Sequence, residues 1–128
     1  MSTHLGGVMR FTEEPPDPSY AKKESNAKLA WDYSVDNPQA NLEGILYSVH
    51  LPGGSFTNML GKLYNGTVLT FPTIPSAYKG RVKIEGRASL VIENVTLQDN
   101  NFFKCTLVAK IGAGQDVNSV VQLIVTGM

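Results

Sequence analysis

Apolar residues alternate with polar or small ones along almost the whole chain, and Gly, Pro, Asn or Asp interrupts each alternating run within a few positions. A period of two lays one face of an extended strand on a core and turns the other toward solvent. Leu29, Trp31, Tyr33 and Val35 form one such set, and Ile45, Tyr47, Val49 and Leu51 a second, stopped by Pro52-Gly53-Gly54. Leu90, Ile92, Val95 and Leu97 form a third. Phe103, Cys105, Leu107, Ala109 and Ile111 make the longest, and residues 117–125 return as a β-branched strand. Residues 8–12, 56–64, 68–71 and the stretch around Val82 and Ile84 supply further strands, with Asn65-Gly66 a two-residue hairpin signal. Pro15-Pro16 and Pro18 break the ladder where an edge strand changes sheets. The pattern predicts about nine or ten short strands, turns every 8–12 residues and no helix, the spacing of a sandwich or barrel.

Charge narrows the function. Lys plus Arg and Asp plus Glu each number 11, so the net charge is zero, and Lys22-Lys23 is the only adjacent basic pair. A nucleic-acid binder rests on a concentrated basic surface, which is missing. No apolar run approaches the roughly 18–20 residues that cross a bilayer, so no direct membrane contact is expected of this domain. The single cysteine, Cys105, rules out an intrachain disulfide and a multi-cysteine metal site. A lone cysteine favours a reducing compartment, whereas the sequons Asn65-Gly66-Thr67 and Asn94-Val95-Thr96 favour secretion and make Asn65 and Asn94 candidate glycosylation sites. Composition leaves the compartment open. Residues 1–7 read as a flexible leader or cloning remnant and 8–126 as one domain.

The segment from Ser89 to Cys105 resembles the end of an immunoglobulin V-set domain. In that family an apolar strand E leads to Asp-x-Gly-x-Tyr-x-Cys on strand F; the slots here hold Asp99, Asn101, Phe103 and Cys105. Asn101 would take the left-handed backbone otherwise given to glycine. Phe103 keeps the ring of the tyrosine corner and loses its hydroxyl. Arg81 sits where V-set domains face that aspartate with an arginine, which implies a buried bidentate Arg81–Asp99 pair. Asn26 to Ser34 looks like strand B with Trp31 in the usual cysteine slot, and Ile45 or Tyr47 stands where strand C carries its tryptophan. The resemblance therefore implies an all-β, two-sheet Greek-key sandwich without its inter-sheet disulfide, the indole of Trp31 and a buried, inert Cys105 thiol filling that space. V-set-like domains with a bulky residue in that slot are similar to the allorecognition receptors of colonial hydroids, whose membrane-distal ectodomains recognise themselves on an opposing cell.

What that implies is homophilic binding through the outward face of strands G, F, C and C′ by an extracellular domain of a single-pass receptor, the partner being another copy of the same domain. The interface residues expected on it are Leu46, Ser48 and His50 on C, Lys104, Thr106, Val108 and Lys110 on F, and Gln122 and Ile124 on G, with Phe102 and Val120 also facing outward. Leu46, Val108 and Ile124 would make an apolar centre ringed by Lys104, Lys110, His50 and Gln122, as protein interfaces are organised. The loops at 36–41 and 112–116 border it. A heterophilic receptor or a lectin-like module is the alternative, and Tyr64 and Tyr78 are the aromatics a glycan would use. A structural spacer module is a third possibility.

No catalytic, metal or cofactor site is legible. Gly112-Ala113-Gly114 lacks the third glycine and following helix of a dinucleotide fingerprint and reads as a hairpin turn. His4 and His50 have no companions at ligand spacing. No nucleophile elbow, zincin helix or phosphate loop occurs.

Overall fold

The computed structural model describes residues 8–127; residues 1–7, with His4, lie outside them. The strands are β1 (Met9–Glu13), β2 (Ser19–Lys22), β3 (Ala27–Leu29), β4 (Asp32–Val35), β5 (Leu42–His50), β6 (Phe56–Leu63), β7 (Val68–Thr70), β8 (Val82–Glu85), β9 (Ser89–Ile92), β10 (Phe102–Ala109) and β11 (Val117–Thr126). One sheet of six strands runs β2-β11-β10-β5-β6-β7. Across the core lie a three-stranded sheet, β3-β9-β8, and the pair β1-β4. The proline cluster divides β1, which pairs with β4, from β2, which runs parallel to β11. Every other ladder is antiparallel.

The period-two sets supply the core. Phe103, Cys105 and Leu107 of β10 and Val121, Leu123 and Val125 of β11 are buried, as are Ile45, Tyr47 and Val49 of β5 and Leu29, Leu90 and Ile92 of the opposite layer. Trp31, between β3 and β4, is 2% exposed. Its ring packs on Tyr47, centroids 6.0 Å apart at 54°. Tyr47 is the cross-strand partner of Cys105, and its hydroxyl donates to the Ala88 carbonyl. The place of a disulfide is thus taken by an indole, a phenol and a thiol. The indole Nε1 donates to Ser119 Oγ at 2.9 Å, and that hydroxyl donates to the Glu14 carboxylate at 2.5 Å. Burial pushes the Cys105 thiol up to about 12 and raises Tyr47 above the usual phenol range.

The Arg81–Asp99 pair is bidentate, with Nη2 to Oδ1 at 2.9 Å and Nη1 to Oδ2 at 3.3 Å. Asp99 is buried, while the Arg81 side chain keeps 28% exposure, so the pair is only half as enclosed as its motif implies. Asp99 Oδ2 also accepts from the Thr96 amide at 2.9 Å, closing a capping box on the 3₁₀ turn Leu97–Asp99. Its hydrogen bond to Asp99 raises the Arg81 pKa.

Several expectations need correction. Asn101 is not left-handed; it is buried and its amide donates to Tyr78 Oη at 2.7 Å. Tyr78, offered as a glycan-facing aromatic, is 1% exposed and meets Phe103 edge-on at 5.8 Å. A phenol from the irregular stretch before β8 thus packs on the Phe103 ring and accepts from Asn101. Leu97 belongs to the exposed 3₁₀ turn and not to a strand. Ile111 is fully exposed beyond the end of β10, where Ala113 closes a turn onto the Lys110 carbonyl. Pro38–Asn41 forms one α-helical turn, α1, preset by the proline at its start.

Candidate recognition surface

The ladders fix which side chains share the outward face of the six-stranded sheet. Phe56, His50, Phe102 and Gln122 lie on one rung; Asn58, Ser48, Lys104 and Val120 on the next; Gly61, Leu46, Thr106 and Asn118 on the third; Leu63, Gly44 and Val108 on the fourth. Eight of the nine expected interface residues thus meet on one continuous area or its border, Lys110 lying just past the end of β10.

Ile124 is the exception to the expected apolar centre. It pairs with Tyr20 of β2, beyond the Gln122 rung, whereas Val108 occupies the opposite end. At ~3.3 Å per residue the two are separated by roughly 25 Å along the strands, so they share a face and not a centre. Ser48 and Thr106 point outward but are buried: Ser48 Oγ bonds Asn58 Oδ1 at 3.2 Å, and Thr106 Oγ1 bonds Asn118 Oδ1 at 2.7 Å. They leave their own positions low, beside Lys104 on the Ser48 rung.

Two apolar features flank these positions. Toward the Val108 end a groove of about 250 Å³ is lined by Leu46, Val108, Leu63, Leu69 and Phe71. Glycines make it. A Cβ at Gly44 would stand 2.5 Å from the Lys62 carbonyl oxygen, so no side chain fits there. A Cβ at Gly61 would meet the Phe71 ring at 3.2 Å. The bulge at Met59 turns Gly61 outward: Tyr47 faces Leu60 but Ser48 faces Asn58, so Met59 and Leu60 both point to the core. At the other end Phe102 and Val120 stand 44% and 43% exposed. Beside them Lys104 Nζ lies 4.4 Å over the Phe56 ring, which His50 meets edge-on at 5.2 Å.

Lys110 Nζ donates to the Gln39 carbonyl at 2.5 Å and stacks on Tyr64 at 4.8 Å, while its amide donates to Asn41. These bonds hold α1 and the loop after β10 side by side. The sequon asparagines Asn65 and Asn94 are both exposed, in the β6–β7 turn and in the turn after β9. Among the described residues no three His, Cys, Asp or Glu side chains gather to hold a metal ion, and no helix is long and apolar enough to cross a membrane. Phe102 and Val120 were legible from the alternation. The groove was not, although an isolated glycine in a strand pattern, such as Gly44 or Gly61, is the signal of a bulge or close approach.

No protein-family profile matches the sequence, and no curated protein matches it. The fold does have solved counterparts: murine CRIg superposes with a TM-score of 0.68 at 17% identity, over 91% of this chain and 98% of its own. At that identity the likeness speaks for the fold alone. The chain is an immunoglobulin-like sandwich without an inter-sheet disulfide.

Proposed function

We propose that residues 8–126 are a variable-type recognition domain in the ectodomain of a single-pass cell-surface receptor, and that it binds a second copy of itself on an opposing cell. Self/non-self discrimination of the kind performed by hydroid allorecognition receptors is the activity this reading implies. The contact is the outward face of β11, β10, β5 and β6, with Leu46, Ser48, His50, Lys104, Thr106, Val108, Lys110, Gln122 and Ile124 on it; Asn65 and Asn94 carry glycans. The domain needs no cofactor and performs no catalysis.

One observation carries the proposal. A solvent-facing antiparallel sheet is normally polar, yet this one exposes Phe102 and Val120 at one end and opens the Leu46–Val108 groove toward the other. Apolar ground rimmed by Lys104, His50 and Gln122 is how protein contacts are built. Zero net charge lets like copies approach without repulsion. Burial of Tyr78 removes one of the two aromatics a lectin-like module would use, and Lys110 occupies a face of the other, Tyr64.

The test is bead aggregation with the folded domain coupled densely to beads of two colours, since multivalent display makes a weak contact visible. Mixed clumps that vanish in Leu46→Asp and Val108→Asp support the reading. Clumping indifferent to both moves the contact off this face. Beads that stay dispersed refute self-binding and leave a heterophilic receptor as the alternative.

A further inference from the structure

The groove toward the Val108 end is built into the strand register. Gly44 and Gly61 give it a floor without side chains, with Leu46 and Val108 on one side and Leu69 and Phe71 on the other. At about 250 Å³ it falls below the roughly 300–1,000 Å³ of small-molecule sites and suits one protruding side chain.

Three charged residues stand around it in different conditions. Lys62 lines the groove, but its ammonium donates to the Gly86 and Arg87 carbonyls at 3.2 and 3.1 Å, on the turn between β8 and β9. The Lys110 ammonium donates to the Gln39 carbonyl at 2.5 Å and lies over the Tyr64 ring. Glu43 also lines the groove and is exposed. A bulge places it there: Val108 faces Gly44 but Ala109 faces Leu42, so Glu43 is the extra residue on β5. Among the described residues the four ion pairs are Lys28–Glu85, Arg81–Asp99, Lys83–Glu93 and Arg87–Asp32, and none includes Glu43. Both cations are held by carbonyl oxygens of their own chain. The charge left beside the apolar floor is a carboxylate.

We infer that the groove binds a segment of another protein in which an apolar side chain is followed closely by arginine or lysine. The apolar group seats over Gly44 and Gly61, and the cation pairs with Glu43. The site goes beyond self-binding and does not rest on it. Charge complementarity selects the occupant. A wholly apolar segment would cover Glu43 without giving it a partner, and an acidic one would set a second carboxylate against it, with Lys62 and Lys110 both engaged elsewhere. Arginine suits the position better than lysine, because its planar fork matches a carboxylate.

The test titrates the ¹⁵N-labelled chain with acetyl-Phe-Arg-amide and follows the Gly44 and Gly61 amide signals. Two control peptides separate shape from charge: acetyl-Ala-Arg-amide has nothing to fill the groove, and acetyl-Phe-Glu-amide carries the opposite charge. The Phe-Arg peptide should move both glycine signals along a saturating curve with a Kd of about 1–10 mM, as expected of a single anchored side chain. Neither control should bind comparably. Glu43→Gln, a change at an exposed position, should weaken the Phe-Arg peptide about threefold to fivefold, the size of one solvent-edge ion pair. Glu43→Lys should turn the preference toward acetyl-Phe-Glu-amide. Leu69→Ser, which removes a wall residue already 41% exposed, should weaken the Phe-Arg peptide about fivefold. Each variant is checked for native far-UV circular dichroism and buried Trp31 emission. Equal affinity for the Phe-Arg and Phe-Glu peptides, or an unchanged Kd in Glu43→Gln, overturns the assignment of a cationic partner. Glycine signals that stay still at about 10 mM peptide overturn the site itself. Clumping of parent beads is read separately and decides only self-binding.

Discussion

Trp31→Phe tests how the interior is held together. The substitution keeps an aromatic ring on Tyr47 but removes part of the indole and its bond to Ser119 Oγ. Truncating a buried tryptophan to alanine costs about 3–5 kcal/mol, and the retained phenyl leaves roughly a third to a half of that as cavity. The lost hydrogen bond adds about 1 kcal/mol. No further penalty arises at Ser119, because its hydroxyl still donates to Glu14. The sum is about 2.5 kcal/mol. For a domain of this size that lowers Tm by about 10 °C, and it lowers the urea midpoint by about 1–2 M. Urea unfolding followed by far-UV circular dichroism is the assay, since the variant lacks the only tryptophan. Ser119→Ala serves as the second arm: it strands the indole N–H in a buried site, at about 1–3 kcal/mol. In the double variant about 1 kcal/mol of the two costs is shared. A Trp31→Phe cost below about 1 kcal/mol, or strict additivity with Ser119→Ala, would refute the account of the core.

Two other perturbations follow from the geometry. Arg81→Met strands the buried Asp99 carboxylate, whereas Asp99→Asn leaves a guanidinium that is 28% exposed and can rehydrate. The first should cost about 3 kcal/mol and the second about 2, with the double variant losing less than their sum; the opposite order in urea titrations would show that the pair is not enclosed as described. Burial raises the Cys105 thiol from 9.0 to about 12 and also raises Tyr47 and Tyr78. The unfolded chain therefore releases these protons first, so stability is full below pH 9 and falls as pH climbs from about 9 through 12. Cys105→Ala should flatten the first part of that decline, and in the parent the thiol should react with a disulfide reagent only on unfolding; a native thiol that reacts at pH 8 contradicts the burial.

The sandwich was readable wherever one strand has one wet and one dry face. β10 and β11 show this best, their buried apolar residues falling on every second position from Phe103 and from Val121. Arg81 and Asp99 came from motif spacing, which survives even though Asn101 and Phe103 replace the usual residues. What the sequence hid has physical causes. The alternation continues to Ile111, but the ladder stops at Ala109 where the chain turns back, so the last apolar residue is left in water. The partner of Trp31 is Ser119, 88 residues away, and no local pattern encodes such a contact. Tyr78 lies among prolines and glycines with no period to reveal its inward turn. The groove depends on a single extra residue at Met59, which reverses the facing of everything after it in β6. Counting residues along that strand without the bulge turns Gly61 inward and closes the hole.

The exchange of a covalent cross-link for an indole over a phenol and a thiol also changes what the domain demands of its surroundings. A fold fastened by a disulfide inherits the redox state of its compartment; it must be oxidised to mature, and it can be reduced or mispaired. This interior has no bond that a thiol reductant can open and no second cysteine for Cys105 to mispair with inside the chain. The fold needs no oxidant and no disulfide isomerase, and its stability is the same number in glutathione as in air.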